Sequence, residues 1–422
     1  MKKIEFAIFL ITFFVTCLSL YAGDLELGVG AGYDYISTDY YLLTEDTLAI
    51  SADSLESLRR SSEASNEFGL IGKLRYNHEL SDIGRLEIYN RGAITNESFK
   101  NNLEAGLYIG YLSIENRFDI RNRDESDDNI NQDYISNLTS ATFRPHLGHD
   151  FYMRIKNAFE FIRYNNPEEY LYDYNYNRLN LELEKDFGFE GIFRVGYRND
   201  LKKVSDSVRL EYDRHAFLLS GEYSPSWMLR IRVDNDFSVK DSKKEDRLDD
   251  ETLENFELTI NYDPAFDYGF RFYSQLEYTA YDTQDLAYFD QIYYRGELEA
   301  KRSFGDKLEL SLTPHFRMLS SIEAEFKDQD FYEYSLEPGI SYNAGLNFWL
   351  DLSYEIGWRT YPNKLEGFFT DHTLNKFNLF LDALIFDNLN FNLLASIDWE
   401  NHDQPEDNTR LYFISTALEY KF

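Results

Sequence analysis

The chain is poor in the residues that staple or break structure: among 422 residues there is one cysteine and there are 8 prolines. A disulfide framework and a thiolate metal centre are both excluded, because Cys17 has no second thiol to join. Long apolar runs are missing too. Beyond the N-terminus no uncharged apolar stretch of about 18 residues occurs, which rules out a bundle of transmembrane helices. Positive charge is scarce: 42 Lys and Arg stand against 75 Asp and Glu, for a net charge of -33. Such a surface repels the phosphates of nucleic acid, so no nucleic-acid partner is expected. No Pro-, Gly- or Ser-rich linker divides the chain, and no repeat of fixed length runs through it.

Chemical motifs are equally sparse. The seven histidines, His78, His146, His149, His215, His315, His372 and His402, never take the HExxH spacing of a zinc hydrolase. The acidic stretch Asp124, Glu125, Asp127, Asp128, Asn129, Asn131 and Asp133 fails as an EF-hand. Gln132 stands where glycine is needed and Leu138 where a bidentate acid belongs. The expectation is therefore no catalytic residue, no metal site and no cofactor.

What is abundant is aromatic: 34 Tyr, 34 Phe and 4 Trp make 17% of the chain, which excludes a disordered acidic polymer. The first residues read as an export signal, with Lys2 and Lys3 ahead of a mostly apolar Ile4 to Leu20 and small residues at Ala22-Gly23. The expected division is a signal peptide over residues 1–22 and one domain over 23–422, with Cys17 lost on processing.

Within that domain apolar and polar residues alternate at period two. Leu25, Leu27, Val29, Ala31, Tyr33 and Tyr35 share one face, and Asp24, Glu26, Gly28, Gly30, Gly32 and Asp34 the other. At the far end Tyr412, Ile414, Thr416, Leu418, Tyr420 and Phe422 share a face. Roughly twenty such runs follow one another, or 18 if the weak hairpin at Gly110-Tyr111 is not one. Short turns, as at Ser224-Pro225-Ser226 and Gly305-Asp306-Lys307, alternate with long polar loops, the longest from Ser37 to Asn66. That loop contains a short helical pattern at Leu48, Ile50, Leu55 and Leu58, and it either folds inward as a constriction or stays outside.

This alternation fits an all-β, transmembrane, antiparallel up-and-down barrel with short turns on one side and long loops on the other. In hydrocarbon only a closed sheet satisfies every backbone group. The terminal Tyr420-Lys421-Phe422, on a last strand of alternating apolar residues, makes the chain resemble the porin-like outer-membrane β-barrels of Gram-negative bacteria. The resemblance implies a location in the cell outer membrane, contact with its lipid and lipopolysaccharide, and recognition of Tyr420 and Phe422 by the barrel-assembly machinery.

If the apolar face meets lipid, the polar face lines a pore. Its expected lining includes Lys73, Arg75, Arg117, Arg154, Arg230, Arg232, Arg271, Glu277, Arg295, Glu297, Glu299 and Arg317, with Asp213 assigned to the same face. Arg and Glu interleave there, so the wall is close to neutral and the acidic excess falls on the loops. Three functions follow in order of expectation: a passive channel for small hydrophilic solutes that weakly favours cations, a non-conducting surface barrel acting as adhesin or scaffold, and an outer-membrane hydrolase. Assembly as a homotrimer is left open by the sequence.

Overall fold

The computed structural model describes residues 24–42, 59–80, 84–95, 98–123, 134–164, 172–205, 210–243, 250–282, 289–363, 370–386, 388–402 and 408–421. The expected signal peptide, the helical pattern of the first loop, the acidic stretch at 124–133 and Phe422 lie outside the described residues. The strands are β1 (Asp24–Leu42), β2 (Arg59–Glu79), β3 (Gly84–Thr95), β4 (Ser98–Ile109), β5 (Leu112–Arg123), β6 (Tyr134–Phe143) and β7 (His146–Gly148). Next come β8 (Phe151–Tyr164), β9 (Tyr174–Asp186), β10 (Gly191–Val204), β11 (Tyr212–Ser226), β12 (Leu229–Ser242), β13 (Glu251–Ala265) and β14 (Tyr268–Tyr281). The chain ends with β15 (Gln291–Phe304), β16 (Leu308–Ser321), β17 (Phe331–Asn343), β18 (Phe348–Thr360), β19 (His372–Phe386), β20 (Leu389–His402) and β21 (Thr409–Lys421).

Apart from β6 and β7, each strand pairs antiparallel with the next, and β21 pairs back onto β1, Lys421 opposite Gly28 and Arg410 opposite Asp39. The ring is closed. β6 and the short β7 both pair with β8, so together they occupy one position in the wall and the barrel has twenty strands. The hairpin at Gly110-Tyr111 is real: Gly110 takes φ +53 and Leu112 pairs with Ile109, which settles the count. Four prolines lie within the described strands, Pro225, Pro264, Pro314 and Pro338. At Pro314 the β15–β16 pairing steps from Glu297–His315 to Ala300–Leu312, and at Pro338 the β17–β18 pairing skips likewise, because proline has no N–H for the ladder.

Two expectations need correction. The segment from Ser37 to Asn66 is not one long loop: β1 runs on to Leu42 and β2 begins at Arg59, pairing residue by residue. Ser224-Pro225-Ser226 is strand, and the turn falls at Trp227-Met228. In both places the chain lies near the rim. There neither face needs to be apolar, so alternation marks the strand poorly.

Burial is inverted relative to a soluble protein. Glu184, Asp200, Glu333, Glu355 and His315 are buried, whereas Leu70, Phe217, Leu298 and Tyr334 are more than half exposed. Buried carboxylates with exposed leucines are what lipid outside and a polar interior produce. The outward face carries aromatic files, such as Tyr294, Phe316 and Tyr334 with ring centroids 5.8 and 5.0 Å apart. At the short-turn end Trp227 stacks on Phe266 at 5.7 Å, an interfacial pair. Polar residues on the outward face are matched to one another: Asn116 donates to Thr139 Oγ1 at 2.7 Å, and Asn157 donates to Asn177 Oδ1 at 3.0 Å. Pairing removes most of the cost of placing an amide against lipid.

One turn depends on its glycine. Gly191 opens β10 at φ +145, and a Cβ there would lie 1.9 Å from the Glu222 carbonyl oxygen on β11. Gly191→Ala is expected to cost about 1–3 kcal/mol from backbone strain alone. Urea unfolding in detergent micelles checks this; a midpoint equal to that of the unsubstituted barrel would contradict the register assigned to β10 and β11.

Candidate functional site

Among the described residues, ion pairs run along the inner wall from strand to strand. Every one of the twelve residues expected to line a pore stands on the inward parity. Arg117 reaches Asp119 at 2.9 Å, Arg154 reaches Glu182 at 3.6 Å, Arg230 reaches Glu222 at 3.4 Å and Arg232 reaches Asp234 at 2.6 Å. Arg295 donates to Glu297 at 2.6 Å, and Arg317 pairs with Glu333. Glu299 sits opposite Arg271, and Glu277 opposite Tyr293 and Asn255. Tyr420 points outward, half-exposed, between Val29 and Leu389.

Lys73 makes a contact that period two alone does not reveal. Its ammonium crosses β1 to reach Glu419 on β21 at 2.6 Å. The path passes over Gly28 and Gly30, and a Cβ on Gly30 would already stand 3.0 Å from Glu419 Cγ. Glycine at this point lets an ion pair bridge the seam where the first and last strands join.

The pairs gather into three buried knots. Glu184 accepts from Arg144 and, at 2.7 Å, from Arg194. Asp200 accepts from Arg178 at 2.7 Å and Tyr176 at 2.8 Å, while Arg198 reaches both Asp200 at 3.3 Å and Asp236 at 2.8 Å. Glu333 holds Arg317 and Arg359, the latter through Nε at 2.8 Å. Beside it His315 lies between Glu297 at 3.5 Å and Glu337 at 3.2 Å. The carboxylates are the buried partners: Glu184, Asp200 and Glu333 are 4%, 3% and 1% exposed, against 49%, 43% and 27% for Arg144, Arg178 and Arg359. A short acid side chain stays against the sheet while the longer guanidinium extends over it toward the lumen. At these knots the inner surface thus exposes arginine more than carboxylate.

Several of these residues escape a reading by alternation. Arg178, Asp200, Arg214 and Glu251 face inward, and Arg214 pairs with Glu251. Within its own strand Arg178 shares the parity of Glu182 and Glu184, Asp200 that of Arg194 and Arg198, Arg214 that of Glu222 and Glu251 that of Glu257, and this is the available signal. Asp213 is a correction: it faces outward, where Asn199 donates to it at 2.6 Å and His215 stands 3.6 Å away. Tyr212 and Arg214 take the inward places instead, because Asp200 and Lys202 across the sheet fix the register.

The fold and this wall define a class: a transmembrane β-barrel of the outer-membrane type. Two solved structures share the fold. The siderophore receptor PirA from Pseudomonas aeruginosa superposes over 93% of this chain and 80% of its own, with 12% identity and a TM-score of 0.51. The alcaligin outer membrane receptor FauA from Bordetella pertussis gives 93% and 76%, with 9% identity and a TM-score of 0.53. OpdQ of Pseudomonas aeruginosa aligns over 94% of this chain and 98% of its own, at 9% identity and a TM-score of 0.48. No protein-family model matches the sequence, and no curated protein does. The likeness to the two receptors is one of fold.

Proposed function

We propose that this barrel is an outer-membrane channel through which small hydrophilic solutes diffuse passively, with a weak preference for cations. The carrying observation is the inward face, lined with ion pairs whose guanidinium groups are exposed, as at Arg117, Arg230 and Arg232. Twenty strands enclose an interior too wide for side chains to fill, since barrels of about 16–18 strands already leave an aqueous channel. Arg117, Arg154, Arg230, Arg232 and Arg271 supply donors along the route, and Glu277, Glu297 and Glu299 the acceptors. The preference for cations comes from the mouth: with the wall near balance, the net charge of -33 resides mainly in loops and turns. A screening length of about 8 Å at physiological salt keeps the effect weak. Outer-membrane lipid and lipopolysaccharide surround the barrel, and the terminal sequence Tyr420-Lys421-Phe422 presents it to the assembly machinery.

Liposome swelling with neutral sugars of increasing size tests the reading. Swelling with small sugars, falling off as size rises, is expected; liposomes containing folded barrel that never swell would favour a closed adhesin or scaffold.

A further inference from the structure

Where β19 and β20 meet at the long-loop end, the register sets His372 opposite His402. Glu400 stands two residues before His402 on the same inward face. Potential ligand atoms of the three residues lie within 4.8 Å of one another, and the two imidazole centroids are 4.3 Å apart. We propose that His372, Glu400 and His402 form a binding site for a divalent transition-metal ion on the inner wall of the barrel.

Three observations carry the assignment. First, His372 is 6% exposed, and its Nε2 has no hydrogen-bond partner although it is buried. An orphaned imidazole nitrogen inside a protein carries a cost that a metal removes. Second, the remaining polar atoms are already held. His372 Nδ1–H donates to the Thr370 carbonyl at 3.0 Å, so the lone pair is on Nε2, aimed at the cluster. His402 Nδ1 meets Thr370 Oγ1 at 2.9 Å, and Thr409 Oγ1 donates to Glu400 Oε2 at 3.0 Å. Metal-bound histidines are oriented in this way, through the ring nitrogen that does not touch the ion. Third, the spacing is within reach of a coordination sphere: His402 Nε2 and Glu400 Oε2 are 3.6 Å apart. Ligand distances of about 2.0–2.2 Å place neighbouring ligand atoms of a tetrahedral zinc roughly 3.4 Å apart. Moving His372 inward by about an ångström completes the geometry on that scale.

The chemistry selects the ion. Two imidazoles and one carboxylate suit zinc, copper or nickel and disfavour calcium and magnesium, which prefer all-oxygen shells. Arg359, opposite His372 on β18, is paired with Glu333, which offsets its charge beside the ligands. An ion here ties the ends of β19 and β20 together at the rim through which solutes enter.

The test uses the full refolded barrel in detergent, stripped with EDTA and titrated with Zn(II) by calorimetry in excess Ca(II), which occupies the surface carboxylates. One equivalent of tight zinc binding is expected, with a Co(II) derivative showing the intense visible absorption of a four-coordinate site. His372→Ala and His402→Ala should each weaken binding at least tenfold, Thr370→Val less, and His215→Ala on the outward face not at all. Heat-shifted mobility on gels confirms that each variant is folded. No binding by folded protein, binding abolished by Ca(II), or full affinity in folded His372→Ala would overturn the proposal.

Discussion

Replacing Glu333 by alanine is expected to cost the barrel about 3 kcal/mol, the low end for breaking a buried ion pair. The carboxylate is 1% exposed and holds two guanidinium groups, Arg317 and Arg359, on the strands to either side. Removing it leaves Arg359 without its counter-charge and Arg317 with only Glu355, 3.6 Å away, in a confined part of the wall. The arginines keep 23% and 27% exposure, so lumen water compensates in part, and for that reason the lower value is chosen. Arg317→Ala should cost less, because Glu333 retains Arg359. Urea titration of the refolded protein, followed by tryptophan fluorescence, measures both. Equal stabilities for Glu333→Ala and Arg317→Ala would show that the knot does not hold β16, β17 and β18 together as described.

The second large effect is on selectivity. Arg230 and Arg232 are 63% and 58% exposed on adjacent inward positions of β12, close to the short-turn end. Their carboxylate partners, Glu222 and Asp234, are less exposed, so an ion moving past meets the guanidinium first. A unit charge at 4 Å in bulk water is worth about 1 kcal/mol, before screening. Arg230→Glu combined with Arg232→Glu reverses two such charges and should raise the cation-to-anion permeability ratio severalfold. The reversal potential under a salt gradient reports it. If that potential stays where it is in the unsubstituted protein, these arginines do not border the conducting path.

How much of this was legible in the sequence depended on where along a strand a residue lies. At mid-strand one face meets lipid and the other water, so alternation is forced, and runs such as Arg295, Glu297, Glu299 and Lys301 gave both strand and facing correctly. Toward the rim both faces meet polar surroundings. There Tyr40 and Tyr41 sit side by side at the end of β1, and Asp213 and Arg214 alternate charge with charge, so parity carries no information. Contacts that depend on closure or on loop length were out of reach altogether. Lys73 and Glu419 are 346 residues apart and meet only because the ring shuts. His372 and His402 face each other only because the intervening turn fixes one register among several. Glycines 28 and 30 were visible as an oddity on the polar face; that they clear a path for Lys73 needed the neighbouring strands.

A conducting barrel requires a water-filled path from one mouth to the other. Single-channel recording of the purified, refolded protein in planar bilayers tests it most directly, with reversal potentials taken under a salt gradient. Stable conductance steps with a weak preference for cations are predicted, diminished when the acidic loops are neutralised. A folded, heat-modifiable barrel that inserts and never conducts would contradict the account.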